Sequence, residues 1–336
     1  MVRAVQLVKP GPAALALKIV DIPKPMPKHG QVLIRVKAFG LNRSELFTRL
    51  TGRAPLGDVP IGRVLGIEAV GQVESAPGYE EYFPKGATVM TAMGGMGIAF
   101  DGGYAEYICV SKTNVQVLKN QTKLGWDVLG ALPEMLQSAH GSLFRGLKLK
   151  EGDTLLIRGG TTSVGFAAAA MANNAGATVI TTTRRADRNI HALLKEHGAE
   201  HVIVDDGKSI CNTVKNLYPS GINKILELVG GATVADSISC LAKDGICCFV
   251  GMVGGAPVFR DFNPLLTVPT ERYLTAYGER TFNANNFPLD DLVEQIDTGK
   301  LKVRVGKVFT IDRIAEAHEC MEKNEACGKI VVLTGM

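Results

Sequence analysis

Apolar and polar positions alternate along Gln31-Val32-Leu33-Ile34-Arg35-Val36-Lys37-Ala38, after a lead-in carrying Pro23, Pro25 and Pro27. A period of two predicts a β-strand with one face turned to a core. Residues 41–50 predict a short helix. Further strand-like runs lie at 69–74, 88–93 and 105–110, separated by glycine turns at Gly86, Gly94-Gly95 and Gly102-Gly103. Short strands cut by turns from residue 1 to about 118 predict a compact, barrel-like β domain.

From about residue 127 to 259 the pattern changes to alternating helix and strand. A helix over 134–147 precedes an apolar run at 154–157, then a glycine-rich turn, then an alanine-rich helix over 164–174 that Gly176 stops. A strand begins at Thr178, and helices over 189–197, 210–217 and 233–240 alternate with strands over 201–204, 224–229 and 245–251. This alternation predicts an α/β fold with a doubly wound parallel sheet and right-handed crossovers. Beyond residue 259 come a loop with Pro264 and Pro269, a helix over 288–297, a strand over 305–309, a helix over 311–322 and a strand over 329–333. That tail has too few elements for a domain of its own and is expected to return to the first one. The expected division is therefore 1–126 with 266–336, interrupted by 127–265.

Composition narrows the class. With 336 residues, 46% hydrophobic and 21% charged, the chain has material for two ordinary domains and a large core. A net charge of +4 with scattered Lys and Arg gives no basic arm for nucleic acid. No apolar run reaches the ~18 to 20 residues that span a bilayer, and residues 1–10 lack a signal-peptide core. The expectation is a cytosolic protein without membrane partners. Its seven cysteines are odd in number and mostly sit in apolar runs, as reduced thiols do.

The chemistry concentrates in Gly159-Gly160-Thr161-Thr162-Ser163-Val164-Gly165, between a strand and a helix. Strand, glycine turn, helix and parallel strand together offer a diphosphate the unpaired N–H groups and positive end of a helix. Gly160 and Gly165 keep the outer glycines of the G-x-G-x-x-G fingerprint, and Thr162 takes the middle place. The hydroxyls of Thr162 and Ser163 are expected to supplement the backbone donors. The next strand ends Thr181-Thr182-Thr183-Arg184-Arg185, with Arg188 one helical turn on. A carboxylate there would select the ribose 2′-hydroxyl of NAD, whereas arginine accommodates a 2′-phosphate. Thr183, Arg184, Arg185 and Arg188 therefore point to NADPH.

Read together, several stretches resemble the medium-chain dehydrogenase/reductase superfamily, in its zinc-free quinone oxidoreductase branch. They are Pro23-x-Pro25-x-Pro27-x-x-Gly30, Gly40-Leu41-Asn42-Arg43-Ser44-Glu45, Gly66-Ile67-Glu68-Ala69-Val70-Gly71, Gly102-Gly103-Tyr104-Ala105-Glu106-Tyr107, Leu132-Pro133, the glycine turn, and Gly328-Lys329-Ile330-Val331. The resemblance covers nearly all of the chain. It implies a GroES-like β-rich domain interrupted by a Rossmann cofactor domain, with a substrate cleft between them. It also implies a homodimer through the edge of the cofactor sheet, placed near 246–253.

At the positions that hold catalytic zinc in other members, this chain has Asn42 and Ile67, and Glu68 alone cannot bind the metal. No C-x-x-C pair occurs. A zinc-free protein is expected. Without a metal or a Tyr-x-x-x-Lys acid, a simple ketone lacks an electrophilic partner, whereas a quinone or α,β-unsaturated carbonyl takes hydride to give a delocalised anion. The resemblance assigns Asn42 to the nicotinamide ribose or substrate oxygen, with a helix cap as the alternative. It places Ser138 near the phosphates and nicotinamide, or else in helix packing, and Gly251-Met252-Val253 at the carboxamide, or else in a tight turn. Lys329 is read as reaching the cofactor or as a surface lysine. Arg53 and Ala54 stand where several reductases carry a proton-donating Tyr, so no acid is identified, and His140 has no assigned role. The expected activity is NADPH-dependent reduction of quinones or enones. An enoyl reductase of lipid or polyketide metabolism and a catalytically quiet, crystallin-like nucleotide binder stay open.

Overall fold

The long alternating stretch forms the strand Gln31–Gly40, the backbone of a β-rich unit. The structure, a computed structural model, describes residues 1–54, 57–251, 253–255, 262–282 and 287–336. The chain divides into two compact units, one of residues 1–137, 279–300 and 305–336, the other of 138–278 and 301–304. Both boundaries fall later than 126/127 and 265/266. The first lies inside the helix Pro133–His140, where no glycine or proline interrupts the pattern to mark it.

In the first unit, Gln31–Gly40 pairs antiparallel with Glu68–Ser75, with Tyr107–Ser111 and with Lys329–Leu333. Val32, Ile34, Val36 and Phe39 are all buried in one hydrophobic core. Val64, Tyr104, Val110, Ile314 and Val332 complete that core. Pairing of Val331 with Gly40 and of Leu333 with Ala38 carries Lys329 to the centre of the unit. Helix Arg43–Thr51 follows the long strand directly and ends at Gly52, whose φ of 72° is the left-handed stop that glycine supplies.

The second unit is a six-stranded sheet, parallel throughout. Its spatial order is His201–Val204, Thr178–Thr183, Thr154–Arg158, Ile222–Glu227, Leu241–Phe249, Tyr273–Ala276. Numbered along the chain this is 3-2-1-4-5-6, the order of a Rossmann sheet. The α/β class and the pairing of a GroES-like with a Rossmann unit are thus those read from the sequence. Helix Ser163–Asn174 buries Gly165 through Ala172, and the run of small alanines from Ala167 to Ala170 lets it lie close on the sheet.

Three features differ from expectation. The last strand, Tyr273–Ala276, falls where a loop was read, because four residues after two prolines carry little periodic signal. The sheet edge expected near 246–253 is not an edge: Leu241–Phe249 is flanked on both sides, and Tyr273–Ala276 lies outermost. The helix expected over 134–147 is α-helical only to His140, then widens into a π turn over Gly141–Gly146. A Cβ on Gly141 would overlap the Tyr277 hydroxyl, and one on Gly146 would come 2.8 Å from Cys248 Sγ, so both glycines admit neighbours. Among the described residues, no helix is long and apolar enough to cross a membrane, and the cysteines are all free.

Candidate functional site

Candidate chemistry lies in each unit. In the second unit, strand Thr154–Arg158 leads into Gly159, whose φ of 95° turns the chain toward the helix. A Cβ on Gly160 would stand 2.7 Å from Thr181 Cβ, and one on Gly165 would stand 2.6 Å from the Gly159 carbonyl oxygen. Both positions need glycine because the chain packs too closely there for a side chain. Thr162 caps the helix: its hydroxyl donates to Gly159 O at 2.9 Å and accepts from Gly165 N–H at 2.9 Å. That hydroxyl is therefore not a further donor to a ligand, contrary to expectation. Gly160 N–H donates to Thr182 O and Thr162 N–H to Gly159 O. Among the described residues the N–H groups of Thr161, Ser163 and Val164 make no such bond. Three unengaged donors at the start of a twelve-residue helix form the cradle a diphosphate requires.

The turn is braced from below. Arg158, 1% exposed at the end of its strand, donates to Asp205 Oδ2 at 2.7 Å and Asp236 Oδ2 at 2.6 Å. Glu227, on the neighbouring strand, accepts from Val229 N–H, Gly230 N–H and the Thr233 and Ser237 hydroxyls. Both buried charges are matched by several hydrogen bonds, as burial demands.

The adjacent strand ends at buried Thr183, followed by exposed Arg184, Arg185 and Arg188. Arg185 N–H donates to the Thr183 hydroxyl at 3.2 Å. The carboxylate of Asp187, passed over in the sequence reading, caps helix Arg188–Glu196 by accepting from Asn189 N–H at 2.8 Å. Arg184 and Arg188 make no ion pair among the described residues.

Gly251 packs so tightly on Leu228 that any Cβ would overlap its carbonyl, and its N–H donates to Glu227 O at 3.1 Å. Val253 N–H donates to Leu228 O at 3.3 Å. The tight-turn alternative therefore describes the N–H groups of Gly251 and Val253, which leaves those two residues their carbonyls for a ligand. Met252 lies outside the described residues. Ser138 is half-buried on helix Pro133–His140, and its carbonyl accepts from the Ser142 hydroxyl at 2.6 Å. His140 packs its ring 4.9 Å from that of Phe144.

In the first unit, Lys329 is a buried ammonium and not a surface lysine. Its Nζ lies 2.7 Å from Glu68 Oε1, 2.7 Å from Asn42 Oδ1 and 3.3 Å from Glu134 Oε2. Glu68 Oε1 also accepts from Asn42 Nδ2 at 2.8 Å, and Glu68 Oε2 from Glu134 N–H at 2.9 Å. Burial works against the ammonium, but the Glu68 and Glu134 carboxylates outweigh it and raise its pKa, so it stays charged. Gly40 makes the room, since a Cβ there would overlap both Glu68 Oε1 and Lys329 Cε. Asn42 stands at the N-cap of helix Arg43–Thr51 with its amide fixed by Lys329 and Glu68, which leaves one amide N–H uncommitted.

A second buried group adjoins it. Glu45 accepts from Asn42 N–H and Ile67 N–H, each at 2.7 Å, and from the Tyr104 hydroxyl at 2.6 Å. His318 Nε2 lies 3.1 Å from the same hydroxyl. The sequence assigns no role to Glu45, Tyr104, His318, Glu134 or Arg158, although Glu45 and Tyr104 stand in stretches that carry the family resemblance. For the rest the signal is a polar residue set among apolar neighbours, which by itself does not separate a buried network from a surface position. Among the described residues no group of three His, Cys, Asp or Glu side chains is arranged to hold a metal ion.

Comparison with known proteins places these geometries in context. Residues 28–120 match the family described as alcohol dehydrogenase GroES-like domain, and residues 197–332 the family described as zinc-binding dehydrogenase. The chain is 28% identical over 333 residues to a quinone oxidoreductase of Homo sapiens, covering 96% of this chain and 94% of that protein. It is 27% identical over 340 residues to a 2-haloacrylate reductase of a Burkholderia species, covering 97% and 96%. A mycobacterial protein solved in complex with NADPH superposes with a TM-score of 0.84 at 25% identity, covering 99% of this chain and all of the other.

Proposed function

The chain belongs to the medium-chain dehydrogenase/reductase superfamily, in its quinone oxidoreductase-like branch, and from that premise we propose an NADPH-dependent reductase of quinones or α,β-unsaturated carbonyls that works without a metal ion. The relatives' names support the coarser reading, an oxidoreductase of the nicotinamide class. The observation that carries the finer one is the strand end Thr183-Arg184-Arg185 with Arg188, where the nearby carboxylate, Asp187, is occupied in capping its helix.

The residues fit the dinucleotide. The N–H groups of Thr161, Ser163 and Val164 would hold the diphosphate, with Gly160, Thr162 and Gly165 shaping the turn around it. Thr183 and Arg184, Arg185 and Arg188 would hold the 2′-phosphate through charge-assisted hydrogen bonds. Ser138 and the carbonyls of the Gly251-Met252-Val253 segment would meet the nicotinamide end. Bound there, the reduced nicotinamide supplies a hydride.

Asn42 would use its uncommitted amide N–H to hold the acceptor or ribose oxygen, with the rest of the amide fixed by Lys329 and Glu68. Lys329 thus acts on the ligand through Asn42. A conjugated acceptor spreads the charge that hydride addition creates, so one oriented neutral donor meets the electrostatic need. The ammonium engaged with Glu68 and Asn42 supports the metal-free reading, because a divalent cation at those residues would have to displace it.

Steady-state assays with NADPH and NADH on 1,4-quinones and enones, with metal analysis of the purified protein, test this. Strong preference for NADPH and activity without bound zinc are expected. Equal or better use of NADH would overturn the cofactor assignment. A homodimer is included in the proposal, through the outer strand Tyr273–Ala276. Tyr273 is 54% exposed there, and nearby in sequence Leu265 and Leu266 are 92% and 85% exposed.

A further inference from the structure

Glu45 is a carboxyl group with almost no route to water. It is 3% exposed, on helix Arg43–Thr51, and holds two backbone N–H groups at the residues flanking the Lys329 cluster. Tyr104 and His318, the side chains that continue from it, are both fully buried. A Cβ on Gly66 would stand 2.5 Å from Tyr104 Cδ1, so glycine at that position admits the phenol to its place.

We propose that Tyr104 and His318 are positioning residues that form, with Glu45, a one-proton relay, through which the carboxylate holding the Asn42 and Ile67 N–H groups gains and loses its proton. Hydrogen accounting fixes the two end states. With Glu45 ionised, the Tyr104 O–H donates to Oε2, 2.6 Å away. The Tyr104 oxygen is then the acceptor on its other side, so His318 must carry its proton on Nε2, 3.1 Å away. His318 Nδ1 is left as a buried lone pair.

Among the described residues, His318 Nδ1 has no hydrogen-bond partner, and neither do Arg49 Nε and Nη1, on a fully buried guanidinium whose Nη2 pairs with Glu322 at 2.7 Å. Arg49 is close enough for its charge to act on the His318 ring.

Uptake of one proton runs along this line. A proton from solvent arrives at Nδ1, the Nε2 proton passes to the Tyr104 oxygen, and the Tyr104 proton passes to Glu45. The result is a neutral Glu45 donating to Tyr104, Tyr104 donating to Nε2, and His318 in its Nδ1–H form. Each bond broken is matched by one formed, and His318 is neutral at both ends. Burial and the Arg49 charge hold its pKa down at about 3, which keeps imidazolium out of the neutral range. Burial, against the Tyr104, Ile67 and Asn42 donors, pushes Glu45 up to about 7, where the relay is used. The charged groups acting on Glu45 are Glu68 on its strand and Lys329 on the C-terminal strand, while Arg49, one turn along the Glu45 helix, acts on the neutral Tyr104 and His318.

The test is nitrogen NMR of the full chain labelled at histidine, from about pH 5 to about pH 9. His318 is expected as the Nε2–H tautomer at the alkaline end and the Nδ1–H tautomer at the acid end. The ratio should change about tenfold per pH unit around the crossing. Tyr104→Phe and Glu45→Gln should each abolish the dependence. A single tautomer throughout, an imidazolium signal, or a switch that survives Tyr104→Phe would overturn the relay. The wild-type titration decides the matter even where a variant does not fold. The relay rests on hydrogen bonds within one unit, so its failure and that of the proposed reaction are separately visible.

Discussion

The Lys329 ammonium and the Asn42 carboxamide oxygen lie 2.7 Å apart in a buried setting, 287 residues apart in the chain. The contact exists because the last strand pairs with the end of the first long one, and it gives the Asn42 amide one orientation. A carboxamide that could rotate would present oxygen or nitrogen to a ligand; this one presents nitrogen.

Lys329→Met should therefore be costly. It leaves Glu68, whose pKa burial already raises, without the cation that favours its charged form, and breaking a buried pair in this way costs about 3 to 5 kcal/mol in other proteins. Urea unfolding should show a loss of that order for Lys329→Met and a smaller one for Lys329→Met combined with Glu68→Gln. If the double variant is no better than the single, the pair is not coupled as described.

At the strand end, Arg184→Ala with Arg188→Ala should raise KM for NADPH by roughly 10 to 100-fold, the scale of one or two charge-assisted hydrogen bonds. KM for NADH should stay within a small factor. Parallel loss with both cofactors would show that these guanidiniums do not contact the 2′-phosphate.

Gly165→Ala places a methyl group 2.6 Å from the Gly159 carbonyl oxygen. The turn must open to accept it, at a cost of about 1 to 3 kcal/mol, and the N–H groups of Thr161, Ser163 and Val164 move with it. Dinucleotide affinity measured by calorimetry should fall by more than the loss of thermal stability alone accounts for.

Stability should also carry a pH signature from Glu45. Its folded pKa, about 7 because of burial, lies above its ordinary 4.5. The folded state therefore binds a proton more tightly than the unfolded one. Its contribution is complete below pH 4.5 and is lost as pH rises through about 7, a change of about 3 kcal/mol in all. Glu45→Gln should flatten the stability curve between those limits, and an unchanged slope would contradict the assignment.

The fold was legible where periodicity is strong. Gln31–Gly40, Ser163–Asn174 and Lys329–Leu333 follow directly from spacing, and the glycine turn announces its own place between strand and helix. Tyr273–Ala276 was not legible, because a short strand after two prolines has no repeat to detect. Thr183 to Arg188 could be read as a candidate since exposed basic residues beside a strand end keep their chemistry in sequence, and their part in holding a 2′-phosphate belongs to the proposal. Lys329 could not: whether a lysine is buried depends on Glu68 and Glu134, hundreds of residues away, and on a glycine at position 40. Asn42 fits the helix-cap alternative in its backbone and remains a proposal for the ligand in its side chain.

Gly40 has a consequence for how this centre can vary. With no side chain there, the paired strands close directly on the ammonium and carboxylate, and no apolar layer separates sheet from charge. Even an alanine would have to evict one ion or push the neighbouring strands away from each other, so the identity of this one smallest residue and the survival of the charged centre are a single trait, gained or lost together.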